Sequence, residues 1–449
     1  MTVEQKPATR LRLSQKHHMT IHWKDFISDD TICATEASLA ERSGVVGRVG
    51  IMLLACGTGA WRVRDAMNIV ARSLNLTCSA EVGLLTISYT CFSQNYSHSR
   101  VLTIAKSGVN TDKLGIMEKF VKKFPKECQH LTIRQIHIQL DKIQHQSGNY
   151  TIFQAALAAA LACSSFVFLL GGGPIEMLCC FVGAGIGNLI RKLMATQRIT
   201  LLADISVSVA AACLSYLFFF KFLNLAFGVS SQHEAGYIGA MLFVIPGFPF
   251  ITSMLDMSKL DMKSGLERLS YALMIIITAT LVGWLVALMV HLRPQNFLPL
   301  PLSPLLMMLL RLPASFCGVY GFSVMFNSPR KMAFAAGVLG ALGNTLRLEL
   351  VDLTNIPAGA AAFVGSFVTG ILASVVNKKH GYPRISLTVP AIVIMIPGLY
   401  IYRGVYNIGI NAIGIGALWL CKAAMIIMFI PLGLFIARIL LDKKWRYCD

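Results

Sequence analysis

Charge is what this chain has least of. Of its 449 residues, 14% are Asp, Glu, Lys or Arg and 55% are hydrophobic, whereas soluble globular proteins carry about a quarter charged residues. The shortage is uneven. Residues 1–150 hold 19 Lys/Arg and 12 Asp/Glu, and the remaining 299 hold 21 and 10. The second stretch therefore has the composition of a lipid-soluble region. No Cys-x-x-Cys pair occurs among the twelve cysteines, which removes the usual sequence signs of a zinc or dithiol site. Cys163, Cys179, Cys180, Cys213, Cys317 and Cys421 fall in apolar runs, where a thiol packs as a small hydrophobe, so structural disulfides are not expected. The first forty residues have no apolar core of a signal peptide, and none is expected. The net charge of +18 does not point to nucleic acid, because most of the excess lies in short loops between apolar runs.

The polar first part divides into a tail over residues 1–44 and a small α+β domain over 45–148. Ala66, Ile69, Val70 and Leu74 share a helical face, and Gly57 with Gly59 marks a break between two helices in 45–76. The period then becomes two. Leu85, Ile87, Tyr89 and Cys91 alternate with polar residues and predict a strand, with a second over Val101–Ala105. Ser93–Ser99 has the composition of a hairpin loop between them. Helices follow over 112–124 and 132–145, the first opened by Gly108-Val-Asn-Thr-Asp112, in which Asn110 or Thr111 caps free amides. His130, His137 and His145 lie near one helical face. Solvated histidines explain them, and no metal or other cofactor is expected.

Ten apolar stretches approach the roughly twenty residues a helix needs to cross a bilayer: 151–170, 174–191, 200–220, 235–255, 269–290, 305–326, 331–348, 356–376, 386–402 and 411–439. With a cytoplasmic N-terminal domain, the inward loops hold Arg191, Lys192, Arg198, Lys259, Lys263, Arg268, Arg330, Lys331, Lys378, Lys379 and Arg384. The outward loops hold only Lys221, Arg293, Arg347 and Arg403. That asymmetry predicts both termini in the cytoplasm, with residues 442–449 as a basic tail. Arg311 and Lys422 lie inside spans, at an interface or facing a polar cavity.

Val182-Gly-Ala-Gly-Ile-Gly187-Asn188-Leu-Ile-Arg191 resembles Val338-Leu-Gly-Ala-Leu-Gly343-Asn344-Thr-Leu-Arg347 at an offset of 156. Ile245-Pro246-Gly247 resembles Ile396-Pro397-Gly398 at an offset of 151. The fold class expected is thus a polytopic α-helical membrane protein of about ten helices in a 5+5 repeat, 149–292 and 303–441. Five is odd, so the second copy enters from the other side of the membrane and the repeat is inverted, a design of secondary transporters.

Pro246-Gly247, with Pro249 close by, interrupts span four, and Pro397-Gly398 interrupts span nine. Broken helices at membrane depth are tolerated where they are buried in protein or line a cavity, and their freed backbone groups can hold substrate. Asn188 and Asn344 occupy matching positions, to contact a zwitterion or to bond across helices. Asp204 is the clearest carboxylate within a span. In low dielectric such a group can keep a proton near neutral pH, which makes it the candidate for proton coupling; an ion pair with Arg191 or Lys192 is the competing reading. Glu176, Glu349 and Asp352 sit nearer the outer surface. The runs Gly183–Gly187, Gly337–Gly340 and Gly359–Gly370 permit close helix packing.

Taken in order, Gly57-Thr-Gly-Ala-Trp-Arg-Val-Arg64, Ser107-Gly-Val-Asn-Thr-Asp-Lys-Leu114, Ile245-Pro-Gly-Phe-Pro249, Ser264-Gly-Leu-Glu-Arg268, Val389-Pro390, Ile396-Pro-Gly-Leu-Tyr400 and Tyr402-Arg-Gly404 resemble the threonine/serine exporter family of bacterial membrane proteins, over roughly residues 45–440. The resemblance implies export of small hydroxylated amino acids across the plasma membrane, driven by the proton gradient. It also implies relatives in which the two membrane halves are separate proteins, some of them associated with dicarboxylate export such as succinate. The family's soluble domain has been likened to hydrolases. No convergent nucleophile, base and oxyanion donors stand out in 45–145, so a membrane-embedded enzyme ranks below a transporter, as does a channel. The partners expected are a small-molecule substrate, protons and the lipid bilayer, with a homo-oligomer compatible and nucleic acid excluded.

Overall fold

The computed structural model describes residues 21–27, 31–228, 236–292, 297 and 300–447; Arg293 and much of the expected N-terminal tail lie outside them. The chain forms two compact units, Met1–Gly108 with Ile116–Gln146, and Val109–Gly115 with Ser147–Asp449.

In the first unit, α1 (Leu39–Ala55) opens on a capping box in which Ser38 Oγ accepts from the Glu41 amide and the Glu41 carboxylate accepts from the Ser38 amide, satisfying two otherwise free donors. Gly57, at φ 82°, turns the chain into α2 (Ala60–Ser73). Three strands follow, β1 (Thr77–Val82), β2 (Thr86–Ser93) and β3 (Tyr96–Thr103), in an antiparallel sheet of that order. The expected alternation holds on β2, whose Ile87, Tyr89 and Cys91 are buried. Two strand expectations fail. Thr77–Val82 was not expected as a strand: its inward residues Cys78, Ala80 and Val82 alternate with polar ones, but the first two are small and the apolar signal is weak. The stretch Ser93–Ser99 is not a loop. The turn is only Gln94–Asn95, with Gln94 at φ 51°, and β3 resumes at Tyr96. Its polar residues belong to an edge strand exposed along most of its length, as edge strands commonly are.

The helix α1 lies against β2 and β3 at a distance only glycine allows. A Cβ on Gly47 would fall 2.8 Å from Tyr89 Cε1, and the Tyr89 hydroxyl donates to the Ser43 carbonyl at 2.9 Å. Burial pushes the Tyr89 phenol up to about 12. Helices α3 (Thr111–Glu127) and α4 (Ile133–Gln144) follow the sheet. His130 and His145 are exposed, but His137 is not the solvated residue expected. It is buried, 3.0 Å from Arg48 Nη1, and the same guanidinium reaches Asp141 at 2.5 Å and Gln144 at 3.0 Å. Burial, then the Arg48 charge, lowers the imidazole to about 4.

Among the described residues the second unit holds eight helices long and apolar enough to span a membrane: α5 (Ile152–Leu169), α6 (Pro174–Thr196), α7 (Leu201–Phe227), α10 (Met262–Met289), α11 (Pro304–Met325), α12 (Arg330–Thr354), α13 (Ala358–His380) and α16 (Ile413–Leu441). Two bent pairs lie between them: the short α8 (Tyr237–Ala240) leading to α9 (Gly247–Met257), and α14 (Arg384–Val393) with α15 (Gly398–Gly409). Counting each pair as one span gives ten, where ten were expected. The outward face of α7 carries Leu214, Phe218, Phe222 and Leu225, all exposed; an apolar stripe of that length needs lipid around it. Inside the bundle, backbones approach at glycine. A Cβ on Gly187 would fall 2.9 Å from the Ser208 carbonyl of α7, and one on Gly343 would fall 2.9 Å from the Gly365 carbonyl of α13.

The Val109–Gly115 segment belongs to this unit. Asn110 Oδ1 accepts from the Lys113 amide at 3.0 Å, the cap expected. The segment is also bonded to the turn after α11: the Thr111 amide donates to the Phe326 carbonyl at 3.0 Å, Thr111 and Ser328 hydroxyls meet at 2.7 Å, and Asn327 Nδ2 donates to Asn110 Oδ1 at 3.1 Å.

Candidate functional site

The two breaks are alike in detail. Pro246 stands at φ −82°, ψ 56° and Pro397 at φ −82°, ψ 54°. A ψ near +55° is far from the helical value, and it turns the helix by 52° at the first break and 49° at the second. In both, the glycine amide donates to the isoleucine carbonyl two residues earlier, at 2.9 Å. Pro249 sits in the first turn of α9, where a missing N–H removes nothing from the helix ladder. The breaks also seat on each other. A Cβ at Gly247 would lie 2.7 Å from Ile396 Cδ1 and 2.7 Å from Val393 Cγ2, while one at Gly398 would meet Leu242 and Ile245. Nearby, the Tyr237 hydroxyl of α8 bonds to that of Tyr402 on α15, both side chains buried.

Asn188 and Asn344 are buried and do not line the large cavity at the second break. Asn188 Nδ2 donates to the Ala155 carbonyl and Asn344 Nδ2 to Ser315 Oγ, each at 2.9 Å and each toward the preceding helix. Their amide oxygens have no hydrogen-bond partner among the described residues. One turn further along come Arg191 and Arg347. Arg191 Nη1 donates to the Phe243 carbonyl at 3.4 Å and Arg347 Nη1 to the Met395 carbonyl at 3.2 Å. Each arginine thus ties its helix to the segment just before a break.

Beyond that the two arginines differ. Arg191 Nε lies 3.9 Å from Asp204 Oδ2, and Asp204 is buried in the first turn of α7. Arg347 lines a cavity of about 410 Å³. Its walls include Phe166, Leu170, residues Ile394–Pro397 at the second break, Tyr400, Arg403 and Trp419. The Arg403 guanidinium stands over the Trp419 ring at 5.0 Å, and the Tyr400 ring meets Trp419 edge-on at 5.0 Å.

Arg311 and Lys422, the charges expected inside spans, have an ion pair and a ring contact respectively. Arg311 bonds Glu349 at 2.8 Å and Asp352 at 2.5 Å, and Lys422 stands 5.2 Å from the Trp419 ring. Glu176 accepts from the Gly173 amide at 3.0 Å and so caps α6. Asp256 is buried against Arg268 at 3.2 Å and accepts from Ser264 Oγ at 2.9 Å, which gives the Ser264–Arg268 motif a packing role. Sequence reading missed Asp256, the Tyr237–Tyr402 contact, and the cavity arginines. Arg347 was visible as the last residue of the repeated motif, but a basic residue near the end of a span reads as a loop charge until its surroundings are known.

A bundle of this kind, with two broken helices seated on each other and a cavity at one of them, defines a multi-pass membrane transporter. The comparison with known proteins agrees. A family model described as "Putative threonine/serine exporter" matches residues 44–291, and one described as "Threonine/Serine exporter, ThrE" matches 312–440. The chain belongs to the threonine/serine exporter family. It is 21% identical over 391 residues to a "Probable threonine/serine exporter" of Mycobacterium tuberculosis, covering 81% of this chain and 69% of that protein. It is 29% identical over 170 residues to the "Probable succinate transporter subunit YjjP" of Escherichia coli, covering 36% of this chain and 64% of that one. A "Pheromone-regulated membrane protein 10" of Debaryomyces hansenii is 19% identical over 385 residues, covering 80% of this chain and 36% of the yeast protein. No solved structure matches the chain at a significant level.

Proposed function

We propose that this protein exports threonine and serine across the cytoplasmic membrane in exchange for protons, by alternating access of two inverted five-helix halves with both termini in the cytoplasm. The observation that carries the reading is the pair of matching breaks, Pro246-Gly247 and Pro397-Gly398, with the same proline angles and the same arginine-to-carbonyl tie. Two equivalent halves that can exchange conformations are what alternating access needs. Backbone freed at the breaks, with Asn188 and Asn344 one turn from Arg191 and Arg347, forms the substrate path. Asp204, buried beside Arg191, carries the proton: protonation releases Arg191 from its ion pair, and deprotonation restores it.

A dicarboxylate such as succinate is the second reading, favoured by the similarity to the Escherichia coli succinate transporter subunit. The test is efflux from proteoliposomes preloaded with labelled threonine, serine or succinate, with the proton gradient imposed and then collapsed. Gradient-dependent efflux of threonine or serine is expected. Movement of succinate alone moves the assignment to the second reading, and movement of none of the three refutes both.

A further inference from the structure

We propose that the cavity at the second break binds the carboxylate of the transported molecule, with Arg347 as its anchor and Arg403 beside it. The inference rests on the transporter reading above and names the chemical group the site recognises.

The argument comes from what the two halves do not share. Arg191 and Arg347 end the same motif and tie to carbonyls just before a break, that of Phe243 three residues before Pro246 and that of Met395 two before Pro397. In the first half the chain provides Arg191 with a carboxylate, Asp204, at 3.9 Å. The offset of 156 that relates the motifs puts Ala360 where a second Asp204 would stand. Arg347 thus has the arginine's position without the acid. Its bond to Met395 is the one hydrogen bond it makes among the described residues, and its Nε is buried with no partner. A guanidinium presents five N–H donors in a planar fork matched to a carboxylate, and a buried donor left unmade is unfavourable.

The space in front of it is suited to fill that role. The cavity of about 410 Å³ is lined by Arg347 and Arg403 and by no Asp or Glu among the described residues. The nearest acids along α12, Glu349 and Asp352, are bound to Arg311. Its other walls are mainly apolar and aromatic, which lowers the local dielectric and strengthens a guanidinium–carboxylate contact. A volume of a few hundred Å³ is in the range of small-molecule sites, about 300–1,000 Å³. An α-amino acid and a dicarboxylate share the carboxylate and differ in the rest, so the anchor serves either.

The test is equilibrium binding of L-threonine, L-serine and succinate to the purified full-length protein in lipid nanodiscs, with L-threoninol as the probe lacking a carboxylate. Saturable binding is expected for at least one carboxylate and none for threoninol. Arg347→Gln is expected to weaken that binding at least tenfold and Arg347→Lys to weaken it less, with unchanged elution on size exclusion. If Arg347→Gln does not fold, Ala358→Asp decides: Ala358 lines the cavity at the start of α13, where an acid suits the helix N-terminus, and its carboxylate should occupy the arginines and abolish binding. Wild-type affinity in the folded variants, or equal binding of threonine and threoninol, overturns the inference. So does failure of every carboxylate to bind the wild type. Arg347-dependent binding of succinate, with no threonine or serine efflux, would remove the amino-acid reading and leave the anchor standing.

Discussion

Gly247→Ala tests whether the two breaks have to stay in contact. The added methyl would sit 2.7 Å from both Ile396 Cδ1 and Val393 Cγ2, whereas carbon atoms rest comfortably at about 3.5–4.0 Å. One or both neighbours must retreat by nearly 1 Å. Ile396 can turn its terminal methyl aside, but Val393, β-branched and at the end of a helix, has little rotamer freedom. Overpacking of this kind costs about 1–3 kcal/mol, a factor of about 5 to 140 in an equilibrium. The strain exists only while the breaks are seated on each other, so the substitution biases the protein away from this conformation. Gly398→Ala, facing Leu242 and Ile245, should act the same way, and the double variant should be non-additive because the two sites touch through adjoining residues. The control is Gly414→Ala, where an added Cβ meets nothing within 4 Å. Melting temperature and initial efflux rate of the purified, reconstituted variants give the answer. Equal values for Gly247→Ala and Gly414→Ala would refute the reasoning.

Asp204→Asn should abolish gradient-dependent efflux and destabilise the protein by about 2 kcal/mol, between the surface and buried limits for an ion pair, because Arg191 is 26% exposed and Asp204 5%; adding Arg191→Gln should recover stability but not coupling, measured by melts and by efflux with and without a gradient. His137 is held near 4 in the fold against about 6.5 unfolded, so the unfolded chain takes up the extra proton between those values. Its contribution is complete above pH 6.5 and is lost as the pH falls toward 4, by up to about 3 kcal/mol; His137→Gln should flatten that part of the pH dependence of unfolding followed by Trp23, which stacks on the imidazole. Thr111→Val leaves the buried Ser328 hydroxyl without its 2.7 Å partner and should destabilise by about 1–3 kcal/mol, with Thr111→Ser near wild type in the same melts.

Much of the scaffold was legible because lipid and proline both leave strong marks. Apolar runs of about twenty residues match the thickness of a bilayer, and Pro-Gly in the middle of one names the break to the residue. The N-terminal α+β unit was harder. Thr77–Val82 pairs along β2 with an alternation of its own that rests on small Cys78 and Ala80 and is therefore faint, and the polar Ser97–Ser99 stretch reads as loop although it is an edge strand. His137 looked solvated because a lone histidine on an amphipathic helix carries no local sign of a buried partner; that partner is Arg48, 89 residues away. The site was least legible. Asn188, Asn344 and Asp204 stand out as polar residues in apolar surroundings, but Arg347 is notable only because the acid facing its counterpart has no equivalent, and that absence becomes visible when Asp204 is found beside Arg191.

The seating of the breaks on each other bears on gene architecture. In this chain the segment between α10 and α11 joins the spans that carry the two breaks, and a short tether keeps such partners at an effective concentration on the order of millimolar. A contact so held has only to be correct in register and can be weak enough to open in every cycle. Were the spans on either side of that tether made as separate polypeptides, such glycine-to-isoleucine seats would also have to bring the two together. A methyl added at one break would then ask for a smaller side chain on the other polypeptide, and the two genes would be constrained to change together.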